Sequence, residues 1–156
     1  MPLAPSIRDL DLEPISFCAA VEYGWSLDKV DSVELEYRAF LQAIHDHPGR
    51  AISPGRDCDL YWHMHLLDTQ RYLEDCTRIF GRFIHHFPYS GIRSAQDLKL
   101  QRRRYAQSQV IIGRVLAGLR NSTSTQSTEK PHETATPQRR PSHTRRPRRL
   151  SRRAGS

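Results

Sequence analysis

A chain of 156 residues has room for one domain with a buried core and not for two. Its formal charge of +7 divides unevenly: residues 1–120 carry 15 Lys and Arg against 15 Asp and Glu, and residues 121–156 carry 9 against 2. A neutral body excludes a general argument for polyanion binding, which only the tail supports.

Met1 to Pro5 lack the basic start and apolar run of a signal peptide, and no window approaches the roughly 18 apolar residues of a membrane span. A soluble, cytoplasmic protein without membrane contact is expected. The three cysteines, Cys18, Cys58 and Cys76, include no Cys-x-x-Cys pair, so reduced and partly buried thiols are expected in place of a disulfide framework.

Pro14 suits a first helical turn, with Ile15, Cys18 and Ala19 on one side and Gly24 placed to stop the segment. Ser26 offers an N-cap to a second helix, in which Val30, Val33, Tyr37, Phe40, Leu41 and Ile44 recur at helical spacing. His45 and His47 close it ahead of Pro48-Gly49, where a ring near the last carbonyls is favourable. Ser53-Pro54-Gly55 marks a loop, and a third helix is expected from about Arg56 to Phe80.

A wheel for this third helix, at about 100° per residue, gathers Cys58, Tyr61, Trp62, His65, Leu66, Thr69, Tyr72, Leu73, Cys76, Ile79 and Phe80 on one packed face. Asp59 lies at its border, with His63 four residues on and within reach. His63 and His65 are about 200° apart on such a helix, so they do not chelate one ion. A metal would take one of them and add His85 or His86, which precede Pro88 at a helix end or in the following loop.

A fourth helix is expected from Ser94, whose spacing to Asp97 resembles a capping box. Leu98, Tyr105, Ile112 and Leu119 form its apolar stripe, and Arg102, Arg103 and Arg104 its wet side. The fold class is therefore all-α, a compact bundle of about four helices over residues 1–120. Residues 121–156, rich in Pro, Ser, Thr and Arg, are expected to form a disordered basic tail.

The run Asp59-x-x-Trp62-His63-x-His65-Leu66-Leu67-Asp68, continued by Tyr72, Asp75-Cys76, Phe80-Gly81 and His85-His86-x-Pro88, resembles the glycine-rich domain-containing protein-like family. Glu34-x-Glu36-Tyr37-x-x-Phe40-Leu41 and Ile52-Ser53-Pro54 are similar to its small bacterial members, and the likeness spans roughly residues 15 to 92. The resemblance implies that Asp59, Trp62, His63, His65, Tyr72, Asp75 and His86 occupy the family's motif positions. The larger plant relatives carry glycine-rich segments and are linked to development, stress responses and RNA binding. With 8 glycines and no such segment, this chain does not inherit those roles.

Two readings of the histidine cluster compete. In one, a divalent metal, zinc or iron, binds His65 and His86, with Asp59, His63, Asp75, Cys76 or His85 completing or supporting the shell. In the other, His65 hydrogen-bonds Tyr72 or a carbonyl and Asp59 pairs with His63 in a buried polar network that binds nothing. No nucleophile elbow or oxyanion loop accompanies the thiols, so no catalytic set is assigned. The expected function is metal or small-ligand binding in a His/Asp pocket. The alternative is a non-catalytic protein or RNA interaction module whose tail contacts polyanions. The tail's arginine doublets lack aromatic partners, so any nucleic-acid contact there would be weak, nonspecific and made to phosphate.

Overall fold

A computed structural model describes residues 2–125, with side chains described through Asn121. Among them all regular structure is helical: α1 (Pro5–Arg8), α2 (Glu13–Tyr23), α3 (Leu27–Asp46), α4 (Arg56–Leu67), α5 (Thr69–Phe80) and α6 (Ala95–Thr125). The all-α class is as the sequence implies. The expected disorder of residues 126–156 lies outside the described residues, while Asn121 to Thr125, expected in the tail, continue α6.

Helix α3 is the axis of the bundle, packing against α1, α2, α4 and α6. Its last turns are buried continuously from Ala39 to Ile44, which only a helix covered on more than one side can sustain. Ser26 caps its start by accepting from the Lys29 amide at 3.3 Å. On its flank Arg38 donates to the carbonyls of Ile7, Arg8 and Leu10 and holds Glu34, so it closes the end of α1. At its end His47 Nδ1 meets the Ala43 carbonyl at 2.9 Å, the capping role its position implied.

Gly24 ends α2 and Gly81 ends α5, both at positive φ, where a residue without a Cβ turns the chain at little cost. Cys18, placed by spacing beside Ile15 and Ala19, is exposed instead, and α2 buries only Ile15 and Ala19.

The long third helix is two helices. Asp68 leaves helical geometry at ψ 72°, and its carboxylate accepts from the Arg71 amide at 3.3 Å to cap α5. A short acidic side chain that bonds the backbone locally competes with helix continuation. The break resets the helical phase. Tyr72, Asp75, Cys76 and Ile79 are buried, whereas Thr69 and Leu73, placed on the packed face by a continuous wheel, are exposed.

In α6 the Ser94 hydroxyl accepts from the Asp97 amide at 3.0 Å, as the spacing implied. Asp97 does not return the bond to Ser94. It accepts instead from the amides of Gly91 and Arg93, tying the preceding turn to the helix. The core contacts of α6 begin near Ser108 and Ile112, both buried, whereas Leu98 and Tyr105 remain exposed. Gln101, Arg104 and Tyr105 from the first turns of α6 wall the cleft described below.

Candidate metal centre and cleft

The segment after Gly81 has no regular structure, and it carries Ile84, His85 and His86 back across α4. Its anchor is Tyr72 on α5. The Tyr72 hydroxyl donates to the Ile84 carbonyl at 2.7 Å and accepts from Trp62 Nε1 at 3.0 Å, with all three groups buried. Two residues beyond this fixed carbonyl, the His86 ring lies against Trp62 at 4.8 Å and His63 at 4.6 Å between ring centres.

His86 Nε2 lies 3.0 Å from His63 Nε2 and 3.1 Å from Asp59 Oδ1. Asp59 Oδ2 is 3.7 Å from His63 Nε2, as expected for an i,i+4 pair on one helix. These three residues bring one ligand atom each to within 4.8 Å of one another, and all three are half-buried. Two imidazole nitrogens at 3.0 Å share at most one proton between them, and the carboxylate faces the same point. Since zinc binds imidazole nitrogen and carboxylate oxygen at about 2.0–2.2 Å, a cation at the centre of such a triangle could reach all three atoms.

His65 belongs to a different structure. Its Nδ1 is 2.8 Å from the Tyr37 hydroxyl, and its Nε2 is 3.2 Å from Asp75 Oδ2. The second contact is close enough for an ion pair but poorly aligned for a hydrogen bond. The tautomer that serves both neighbours has Tyr37 donating to Nδ1 and the Nε2 proton facing Asp75. Burial pushes the His65 pKa below its usual value, with Asp75 opposing the shift. Asp75 is held in turn by Arg78 at 2.6 Å. Tyr72, expected as a hydrogen-bond partner of His65, meets it edge to face with ring centres 5.0 Å apart.

The sequence-derived ligand set is thus divided. Asp59, His63 and His86 converge, while His65 and Asp75 form a buried pair on the core side. Cys76 is buried, its thiol pushed up by desolvation despite contacts with the Ile84 backbone and Tyr72. His85 is exposed against Phe83, with ring centres 4.8 Å apart. A shared shell of His65 and His86 is not formed, because the partners of His65 come from α3 and α5 on the other side of α4.

Asp59 and His86 also line a cleft of about 700 Å³ between the loop before α4, the Arg82–Pro88 segment and the first turns of α6. Sequence reasoning missed Arg56 and Arg82 here. Arg104, read as part of a wet helix face, lines this cleft too. No local motif marks these arginines, since they come from three separate segments.

The model of the UCP032817-like family matches residues 18–111, a span that contains Asp59, His63, His65, Asp75 and His86. This finding overturns the resemblance to glycine-rich domain-containing proteins. Many residues that carried that resemblance, including Tyr37, Phe40, Trp62, Tyr72 and Cys76, are buried packing positions, which any bundle of this pattern requires. No curated protein and no solved structure matches the chain.

Proposed function

The chain belongs to the UCP032817-like family, and we propose that it binds a divalent metal ion, zinc or iron, through Asp59, His63 and His86. The observation that carries this reading is the convergence of three ligand atoms within 4.8 Å from α4 and the segment after α5. Two imidazoles and one carboxylate suit zinc and ferrous iron alike. Three protein ligands leave a coordination position for water or a small ligand, a pattern of zinc sites that act on a bound molecule rather than only hold a fold. The Tyr72–Ile84 hydrogen bond supports the shell by fixing the chain two residues before His86. The reading is therefore metal and small-ligand binding at the cleft, with His65 and Asp75 as structural residues.

Cobalt(II) titration of the full chain tests this. Visible absorption bands of nitrogen- and oxygen-bound cobalt should saturate at one equivalent and vanish in His63→Ala and His86→Ala. Identical spectra in the wild type and both variants would refute the assignment.

A second reading concerns residues 121–156, where 9 Lys and Arg face 2 Asp and Glu. This segment contacts nucleic-acid phosphates without reading sequence. Removing residues 126–156 should abolish RNA and DNA binding at physiological salt, and survival of that binding would exclude the tail as its source.

Among the described residues no helix is long and apolar enough to cross a membrane.

A further inference from the structure

The cleft beside the three-residue cluster has an unbalanced charge. Four arginines line it, Arg50, Arg56, Arg82 and Arg104, against one carboxylate, Asp59. Over residues 1–120 acidic and basic side chains are equal in number, so this is a local separation of charge and not a reflection of composition. A second concavity shows the contrast. There Arg71 and Arg78 lie among Asp9, Asp11, Asp68, Glu74 and Asp75, and both are ion-paired.

In the cleft, the Arg50 side chain donates to the Gln107 amide oxygen and has no carboxylate partner among the described residues, and Arg104 meets Ser90 with Asp97 at 3.9 Å. Arg56 and Arg82 have no carboxylate partner among the described residues. Guanidinium groups without a carboxylate are matched to oxyanions, and several around one cavity favour a dianion over a monocarboxylate. The volume of about 700 Å³ lies within the range of small-molecule sites. The exposed ring of Tyr105 adds an aromatic surface to the lining, at which the buried Trp62 contributes only an edge.

We propose that this cleft binds a phosphorylated small molecule, its phosphate held by Arg56 and Arg82 and its apolar or aromatic body lying along Tyr105. The phosphate grip uses the chain's own cations and does not require a metal at Asp59, His63 and His86. This reading therefore stands or falls separately from the metal assignment.

Phenyl phosphate, inorganic phosphate and benzoate serve as probes in calorimetric titration of the full chain, with and without EDTA, while NMR follows the Trp62 indole. The basic tail is present in every sample, so only differences between variants report on the cleft. One equivalent of phenyl phosphate should bind in EDTA at least tenfold more tightly than benzoate, shift the Trp62 signal, and lose at least tenfold in affinity in Arg56→Gln/Arg82→Gln. Inorganic phosphate should compete with it. The assignment is overturned by equal affinity in the double arginine variant, which would place the anion on the tail or the general surface. No preference over benzoate, or binding seen only when metal is added, would also overturn it.

Discussion

The Tyr37 hydroxyl and His65 Nδ1 lie 2.8 Å apart in the fully packed interior between α3 and α4. This bond separates the histidine that holds the fold from the two that converge on Asp59. Tyr37→Phe leaves a buried imidazole nitrogen without its donor and should cost about 1–3 kcal/mol in chemical denaturation. His65→Ala adds a cavity beside Asp75 and should cost about 2–4 kcal/mol. His63→Ala, at the rim, should cost less than about 1 kcal/mol. Equal destabilisation by His63→Ala and His65→Ala would contradict this division.

Tyr72 positions His86 without touching the cluster. Tyr72→Phe removes the donor to the Ile84 carbonyl and the acceptor for Trp62 Nε1. It should lower metal affinity by about 10- to 100-fold, as loss of a supporting hydrogen bond does, while keeping one-to-one stoichiometry. Competition with a chromophoric chelator measures this. Unchanged affinity would show that His86 is held by ring packing alone.

The thiols should differ sharply in reactivity. Cys18 is exposed, whereas Cys58 and Cys76 are buried and burial holds both thiols above their ordinary pKa. In native protein at neutral pH, iodoacetamide should therefore modify one cysteine, Cys18, and modify the other two only after unfolding. Peptide mass mapping distinguishes the three, and rapid labelling of Cys58 or Cys76 in folded protein would contradict the packing described.

Much of the architecture was legible because it rests on local chemistry. Gly24, Ser26 and Ser94 mark helix ends through backbone conformation and capping bonds that need no tertiary partner. The break at Asp68 was not, since an Asp inside an apolar periodic run caps only when the chain turns there. A continuous wheel therefore placed Leu73 on the packed face and left the buried Asp75 off it. Helix α1 is four residues long and depends on Arg38 from α3, so nothing in its own sequence announces it. Within the site, the i,i+4 relation of Asp59 and His63 was readable, and so was the return of the His85-His86 segment. The choice of His63 over His65 as the neighbour of His86 was decided by Tyr37 and Asp75, which occupy the core side of α4.

Strong acidification should loosen the turn before α6. Burial works against the Asp97 carboxylate, but amide bonds from Gly91 and Arg93 and the Arg93 side chain outweigh it, so its pKa is lowered. A carboxylate with a lowered folded pKa contributes stability that is complete above its unfolded value and is lost as pH falls through the folded one. Amide exchange at Gly91 and Arg93 should accordingly accelerate below about pH 4, and Asp97→Asn should show the same acceleration at neutral pH. Protection at Gly91 that is indifferent to both changes would refute the role given to Asp97.

The metal assignment is tested most directly by elemental analysis of the full chain, purified after zinc and, separately, iron supplementation. Asp59→Ala/His63→Ala/His86→Ala and Tyr37→Phe are analysed alongside it. Near one equivalent of zinc or iron is predicted in the wild type and in Tyr37→Phe, and loss of that metal in the triple variant, which retains the tail histidines. Sub-stoichiometric metal in the wild type under both supplements, or equal metal in the triple variant, would contradict it.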